Sequence, residues 1–130
     1  MGRRRPLTIV VAPAGYGKTT LLRQWCERDG REVAWLTLQA SDCEPRAFLS
    51  HLGAALHLRG VGEEGPLEAG LAALLNALAQ RSGPQTLVLD DYQRIEGSAP
   101  ERVLVQVIEF LPPALRLLIG SRHEPMLALP

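Results

Sequence analysis

Four short apolar runs along the chain alternate with longer segments in which apolar residues recur every three or four positions. The runs are predicted strands and cover residues 7–12, 33–38, 86–90 and 115–121. Leu, Val and Ile dominate them, as in strands that are buried on both faces of a sheet. Strands that alternate with helices favour a parallel sheet with right-handed crossovers and helices on both faces. The pattern therefore predicts an α/β domain with a parallel sheet.

The first predicted helix follows strand one and covers residues 18–28. Its apolar face carries Leu21, Leu22 and Trp25, and Gly30 supplies the left-handed residue that ends a helix. The later helices also have apolar stripes, which are typical of faces packed on a core. The stripes are Phe48, Leu49, Leu52, Ala55 and Leu56 in the second helix, Leu67, Leu71, Leu74, Leu75 and Leu78 in the third, and Val103, Leu104, Val107, Ile108 and Leu111 in the fourth.

Two S-x-x-E patterns mark predicted helix starts. Ser41 and Glu44 precede the second helix, and Ser98 and Glu101 begin the fourth. In such a capping box, each of the two side chains accepts a hydrogen bond from the backbone N–H of the other residue. Residues 59–66, between the second and third helices, are Gly-rich and acidic, which indicates a surface loop.

Composition narrows the class of protein. The 130 residues carry 14 basic and 14 acidic side chains, so no excess charge favours nucleic acid or a membrane surface as a partner. Cys26 and Cys43 form neither a C-x-x-C pair nor a metal-ligand cluster with the three histidines. We expect no signal peptide, because the apolar run after the Arg-rich start is too short for one, and no apolar stretch of the sequence reaches membrane-spanning length. We expect one domain with its own core, located in the cytoplasm.

Residues 12–20, which read A-P-A-G-Y-G-K-T-T, join strand one to the first helix. This spacing is that of a phosphate-binding loop, in which backbone N–H groups and a helix N-terminus surround the phosphates of a nucleotide. In such a loop Lys18 reaches the β- and γ-phosphates, and the Thr19 hydroxyl binds Mg²⁺. Ala12 stands where the motif usually begins with Gly. The alternative to a phosphate-binding loop is a Gly-rich turn beside an unrelated lysine. The predicted nucleotide-binding residues are Ala14, Gly15, Tyr16, Gly17, Lys18, Thr19 and Thr20.

Charged residues follow the third and fourth strands. Asp90 and Asp91 end the third, and Arg122 comes directly after the fourth. The carboxyl ends of parallel strands face the ligand side of an open α/β sheet, so Asp90 is predicted to join Thr19 in binding Mg²⁺. Asp91 is predicted to orient or deprotonate an attacking water, and Arg122 to sense or stabilise the γ-phosphate charge. The alternatives are an Asp pair that caps a turn and an exposed loop arginine.

Five sequence blocks together resemble one family. They are A-P-A-G-Y-G-K-T-T-L-L, A-W-L-T-L, D-C-E-P-R-A-F, L-V-L-D-D-Y and L-R-L-L-I-G-S-R-H-E-P. They look like the nucleotide-binding core of MalT-like regulators, the LuxR-type ATP-binding activators of the STAND class of signal-transduction ATPases. The resemblance covers nearly the whole chain. Two positions depart from it: Gln39 stands where many relatives have an acid, and Gln93 where relatives usually have His.

The resemblance implies a P-loop NTPase three-layer sandwich that rests with ADP and is activated with ATP and Mg²⁺. By position, Lys18 and Thr19 take the phosphate-loop roles. Asp90 and Asp91 take the metal and catalytic-acid roles, and Arg122 takes the sensor role. An acid pair with an arginine on the next strand fits the class whose spatial strand order is 2-3-4-1. Relatives continue with helical, winged-helix, sensor and DNA-binding domains, so we expect residues 1–130 to be the nucleotide-binding domain of a truncated, larger regulator.

The sequence leaves alternatives to this hypothesis. A small-molecule kinase on a P-loop fold needs an Arg-bearing lid, and Arg46, Arg81 and Arg102 are too scattered to suggest one. A GTPase is disfavoured because no N-K-x-D motif is present. A module that binds nucleotide only structurally has no need of Asp91. We expect slow ATP hydrolysis at most and no direct contact with nucleic acid. We also expect self-association through strand one, because no fifth predicted strand is available to cover its outer edge, unless the tail folds back over it.

Overall fold

The computed structural model describes residues 7–12, 17–58, 61, 64–81 and 83–123. At least one helix separates each pair of consecutive strands along this part of the chain, as the hydrophobic pattern predicts. In chain order they are β1 (Leu7–Val11), α1 (Lys18–Asp29), β2 (Glu32–Thr37), α2 (Pro45–Ala55), α3 (Leu67–Ala79), β3 (Gln85–Asp90), α4 (Pro100–Glu109) and β4 (Leu115–Ser121). Two short 3-10 turns, Ala40–Cys43 and Tyr92–Arg94, follow β2 and β3. None of the helices described here is both long and apolar enough to cross a membrane.

The four strands form one parallel sheet in the order β1-β4-β3-β2. Read from the other edge, this is 2-3-4-1, so the predicted strand order is confirmed. The register pairs Val11 with Ser121 and Thr37 with Asp90. The strands therefore end at one edge of the sheet, and the residues that follow β1, β3 and β4 come together there.

Side chains of the strands alternate between two apolar cores on opposite faces of the sheet. Leu87 and Leu89 belong to the larger core, which they share with α2, α3 and α4, whereas Val88 and Leu118 pack with α1. β3 is buried at every position, which explains its continuous apolar run. Helices thus cover both faces of the sheet, with α1 on one face and α2, α3 and α4 on the other, in the part of the chain that the structure describes.

The apolar face of α1 differs from the prediction at one residue. Leu22 is fully buried, but Leu21 is 48% exposed. The buried side of α1 consists of Lys18, Leu22 and Cys26, which are four residues apart and therefore share one face. Leu21 lies about 100° around the helix from Leu22, outside this narrow stripe. Gly30 ends α1 with a φ of 69°, as predicted.

The predicted capping box at Ser41 and Glu44 is wrong. Glu44 itself caps α2 and accepts a hydrogen bond from the Ala47 N–H at 2.6 Å. The capping box in this region is formed earlier, by Gln39 and Asp42 around the first 3-10 turn. Because the chain makes that turn before it enters α2, Ser41 lies inside the turn rather than at the start of the helix.

The predicted box at Ser98 and Glu101 is wrong as well. Ala99 is the N-cap residue of α4 and provides no side-chain cap. The Ser98 hydroxyl donates to the Ile95 carbonyl, and the Tyr92 hydroxyl donates to the Glu101 carboxylate at 2.5 Å. Tyr92 is fully buried, so its hydroxyl needs a partner, and Glu101 serves as that partner instead of capping the helix.

The segment predicted as a surface loop, residues 59–66, lies only partly within the described residues. Glu64, Gly65 and Pro66 are exposed, but Val61 is buried in the larger core. Val61 lies directly over Gly53 of α2, where an added Cβ would be 2.8 Å from the Val61 Cβ. The segment therefore contributes one apolar side chain to the core, which its Gly-rich and acidic composition did not predict.

Candidate active site

The first turn of α1 lies against the end of β3. Gly17 is the N-cap residue, and its φ of 74° is in the left-handed region that glycine adopts without strain. The helix has no side-chain cap and no acidic residue in its first turn. The positive end of the helix dipole thus lacks an anionic partner from its own first turn, which is the condition for binding a phosphate group.

The loop before this turn is described only at its ends. Three predicted nucleotide-binding residues, Ala14, Gly15 and Tyr16, lie outside the described residues. Thr20 is exposed on the first turn of α1. Ala12 is buried, and its N–H donates to the carbonyl of the last residue of β4 at 3.0 Å. The loop therefore leaves the sheet at the edge where β4 and β3 also end.

Lys18 is the single lysine of the chain, and its side chain is 8% exposed. Its Nζ donates to Asp90 Oδ1 at 2.6 Å and to Asp91 Oδ1 at 2.5 Å. Burial acts to lower the pKa of Lys18, but the hydrogen bonds and charges of the two carboxylates outweigh it, and the pKa lies above the usual 10.5. Lys18 is therefore a buried ammonium ion at neutral pH.

Thr19 and Asp90 offer a pair of oxygen ligands. The Thr19 hydroxyl donates to Asp90 Oδ2 at 2.8 Å, and the Asp91 N–H donates to Asp90 Oδ1 at 2.9 Å. Asp90 is buried at the end of β3. Mg²⁺ usually binds through one or two protein oxygens together with water and phosphate oxygens, and a carboxylate beside a hydroxyl fits that donor set. Within the described residues no cluster of three or more His, Cys, Asp or Glu side chains forms a protein-only metal site.

Asp91 starts the second 3-10 turn in a left-handed conformation, with φ 59° and ψ 44°. For a residue other than glycine this conformation costs on the order of 1–3 kcal/mol and is concentrated at functional sites. Burial acts to raise the pKa of Asp91, but hydrogen bonds from Lys18 and Gln93, with the charges of Lys18 and Arg94, hold it below the usual 3.8. The side chain is 32% exposed, so Asp91 is an ionised carboxylate that solvent can reach.

Gly120 of β4, which was not among the predicted site residues, allows the site to be closely packed. A Cβ added to Gly120 would lie 2.7 Å from Leu22 Cδ1 and 3.1 Å from Asp90 Oδ1. Any larger residue would therefore push against both α1 and the Asp90 carboxylate. The available sequence signal was an isolated glycine inside an apolar strand, which often marks a close approach of neighbouring groups.

Arg122 follows β4 at the same edge of the sheet and is exposed. Its backbone N–H donates to Gln93 Oε1 at 3.3 Å, and Gln93 Nε2 donates to Asp91 Oδ1, also at 3.3 Å. The structure thus brings the predicted residues Lys18, Thr19, Asp90 and Asp91 into direct contact. Among the described residues, the side chain of Gln93 joins Arg122 to them.

A separate cavity of about 460 Å³ lies beside β2 and α2. Trp35 and Thr37 of β2 line it, with Asp42 and His51, whose Nδ1 lies 2.5 Å from Asp42 Oδ1. None of the predicted site residues borders this cavity. A cavity of this volume could hold a small ligand, but the buried ammonium, the paired acids and the helix N-terminus all lie at the strand ends.

Sequence relatives agree with the motifs. A family profile described as an AAA domain matches residues 2–123. The HTH-type transcriptional regulator MalT of Yersinia enterocolitica is 34% identical over an alignment of 135 positions that covers 95% of this chain and 15% of the relative. MalT of Yersinia pestis is 35% identical with the same coverage. The chain thus spans about 15% of the length of the curated relatives it matches.

Solved structures agree with the architecture. Cdc6p from Pyrobaculum aerophilum superposes with a TM-score of 0.67 at 20% identity, over 94% of this chain and 34% of that one. A chain of Drosophila ORC bound to DNA gives 0.65 at 17% identity, over 95% and 34%. At these identities the likeness shows the fold alone, a P-loop NTPase-like parallel sheet with helices. The chain belongs to the AAA domain family, and its similarity to the MalT regulators confirms the resemblance that its motifs indicate.

Proposed function

We propose that the chain is the ATP-binding switch domain of a MalT-like, LuxR-type transcriptional activator, and that it hydrolyses ATP slowly. One observation carries the proposal: the buried ammonium of Lys18 lies within 2.6 Å of both acids at the end of β3. A buried cation between strand-end acids and an uncapped helix N-terminus is suited to a polyphosphate. Membership of the AAA domain family supports the same function.

In this proposal, the loop of residues 12–20 binds the phosphates of ATP or ADP. Lys18 exchanges its hydrogen bonds with the acids for bonds to the β- and γ-phosphates. Thr19 and Asp90 hold Mg²⁺, which when bound neutralises phosphate charge and orients the phosphates. The other proposed nucleotide-binding residues are Ala14, Gly15, Tyr16, Gly17 and Thr20.

Hydrolysis is proposed to depend on Asp91 and Arg122. Asp91 is ionised and partly exposed, so its carboxylate can orient a water molecule or accept its proton. Arg122 follows the strand beside Asp91, where a guanidinium can stabilise charge on the γ-phosphate. We expect turnover to be slow because the Asp91 side chain is 32% exposed, and a site that solvent reaches leaves water poorly excluded.

The proposed partners are the remaining domains of a longer regulator. The MalT relatives are HTH-type transcriptional regulators of which this chain spans 15%. Residues 1–130 would then be the nucleotide-binding domain of a cytoplasmic protein whose DNA contacts lie in other domains. A second copy of the chain is a further proposed partner, because among the described residues β1 pairs only with β4 and Val11 is 46% exposed.

The alternative function, a small-molecule kinase, gains no support from the relatives or from the arginines that could form a kinase lid. Arg81 donates to Gln85 Oε1 at 2.7 Å and to the Leu56 carbonyl. Gln85 begins β3, so Arg81 lies at the opposite end of the strand from Asp90. Arg46 donates to the Gly65 carbonyl at 2.7 Å, which holds it against the segment before α3.

Thermal melting with and without Mg²⁺ and ATP tests the proposed function. At a ligand concentration of about 100 times the dissociation constant, binding adds roughly 2.7 kcal/mol to the free energy of unfolding. We expect this rise in wild type and in the control Arg28→Ala, which removes an exposed cation from the last turn of α1, but not in Lys18→Ala. An equal rise in Lys18→Ala would show that nucleotide binds elsewhere.

A further inference from the structure

The side chain of Gln93 connects two parts of the site that are separated in sequence. Its amide nitrogen donates to Asp91 Oδ1, and its amide oxygen accepts the backbone N–H of Arg122, each at 3.3 Å. Gln93 lies in the 3-10 turn after β3, and Arg122 follows β4. One amide group therefore joins the ends of two adjacent strands and uses its donor and its acceptor to do so.

In the proposed nucleotide complex, the Asp91 carboxylate needs a hydrogen-bond donor other than Lys18. Its Oδ1 accepts hydrogen bonds from Lys18 at 2.5 Å and from Gln93. The proposed binding of phosphate draws Lys18 away from the acids, which leaves Gln93 as the other side-chain donor to Asp91 within the described residues. The Asp91 side chain is partly exposed, so packing contacts cover only part of it and hydrogen bonds must orient its carboxylate.

We propose that Gln93 is a positioning residue that holds the Asp91 carboxylate in its working orientation and ties it to the end of β4 beside Arg122. This inference rests on the proposed function, because it concerns the water that Asp91 would activate. The bridge transmits a displacement at either strand end to the other. A shift of the β4 end would move the Asp91 carboxylate, and through it the site of water attack.

The amide at position 93 is neutral at all working pH values, so it does not itself add a titration to the site. The charged groups around Asp91 are Lys18 from α1, Asp90 from β3 and Arg94 from the same turn. A carboxylate in place of the amide would behave differently. Glu has no donor for Asp91 when ionised but gains one when protonated, and the like charge of Asp91 favours its protonation.

The test compares Gln93→Leu and Gln93→Glu with the control Gln106→Leu, which alters an exposed glutamine of α4. Two quantities are measured: single-turnover hydrolysis of Mg²⁺–ATP and, in the nucleotide-free chain, the pKa of the Asp91 carboxyl by ¹³C NMR. In Gln93→Leu we expect the maximal single-turnover rate to fall about tenfold, the equivalent of 1.4 kcal/mol in the barrier. The ATP concentration that gives half of that rate should stay within about twofold of wild type. The pKa of Asp91 should rise because a donor to its ionised form is lost.

Gln93→Glu keeps the length of the side chain and guards against misfolding of the leucine variant. Its turnover relative to wild type should increase as the pH falls from 8 to 5, because the protonated side chain regains a donor. Unchanged turnover and an unchanged Asp91 pKa in Gln93→Leu would overturn the inference, as would a flat pH ratio in Gln93→Glu. If wild type fails to bind ATP, the proposed function fails, whereas the Asp91 pKa still reports on the bridge.

Discussion

Replacing Gly120 by alanine should damage the nucleotide site through packing alone. The new Cβ would lie 2.7 Å from Leu22 Cδ1 and 3.1 Å from Asp90 Oδ1. Leu22 is fully buried on the inner face of α1, so it has little room to turn away. Asp90 Oδ1 already accepts hydrogen bonds from Lys18 at 2.6 Å and from the Asp91 N–H at 2.9 Å. Both the helix and the carboxylate must therefore shift.

The size of the effect follows from two opposing terms. Inserting a methyl group into a packed core costs about 1–3 kcal/mol. Replacing a strand glycine returns about 0.5–1 kcal/mol of backbone entropy and strand preference. We expect a net loss near 1 kcal/mol in the free energy of unfolding, or about 3–5 °C in Tm for a chain of this length. The affinity for Mg²⁺–ATP should fall about tenfold, since a displaced Asp90 no longer matches Thr19.

Gly53→Ala provides the matched control. Its added Cβ would meet the Val61 Cβ at 2.8 Å, a similar clash in the larger core and far from the strand ends. It should therefore lower the free energy of unfolding while leaving nucleotide affinity unchanged. Urea unfolding and calorimetric titration at 15 °C measure the two quantities separately. If Gly120→Ala bound Mg²⁺–ATP as tightly as Gly53→Ala does, the reasoning that Asp90 and α1 share this contact would be refuted.

Four further outcomes are expected. Asp91→Asn should retain ATP binding in calorimetry but hydrolyse ATP more slowly in single turnover. Rapid multiple turnover by wild type would contradict the slow hydrolysis that is expected of a solvent-exposed site. The pKa of Asp91 is lower in the folded state, so the ionised carboxylate stabilises the fold above pH 3.8, and this stabilisation disappears as the pH falls through the pKa of the folded state. Urea unfolding across that range should show the free energies of unfolding of wild type and Asp91→Asn converging in acid. A difference that stays constant with pH would refute the pairing of Asp91 with Lys18. Gel-shift titration at physiological salt should detect no DNA binding below micromolar concentration, and a tight, sequence-dependent shift would place a DNA-binding surface in this domain. Hydrogen exchange should be faster in β1 than in β4, and sedimentation should show association that Val11→Lys weakens; a monomer with equally protected strands would rule out the edge contact.

The strands and their order could be predicted because a few residues near each strand indicate them. β4 was placed correctly at Leu115–Ser121, since its apolar run lies between prolines and a polar Ser-Arg-His segment. The strand order followed from the resemblance, because an acid pair with an arginine on the next strand fits the P-loop class in which the arginine strand lies between the acid strand and strand one. Gly30 also ended α1 as expected, because a glycine after a helix usually takes the left-handed conformation.

The side-chain contacts could not be predicted because they depend on partners that are distant in sequence. Glu101 fits a capping box by spacing, but the buried hydroxyl of Tyr92 takes it as a partner. Leu21 fits an apolar face, yet α1 buries only a narrow stripe around Leu22. The bridge through Gln93 requires knowledge that the turn after β3 touches the end of β4. In each case the deciding group lies on another element, so local spacing carries no information about it.

Calorimetric titration of the chain with ATP, ADP and GTP, with Mg²⁺ and with a chelator, tests the central claim most directly. We predict saturable binding of one ATP or ADP per chain that weakens without Mg²⁺ and is lost in Lys18→Ala, while Arg28→Ala binds as wild type does. Melting curves of the free variants would confirm that each is folded. Absence of binding to folded wild type, or the same binding to Lys18→Ala as to wild type, would contradict the assignment of the strand-end site to nucleotide.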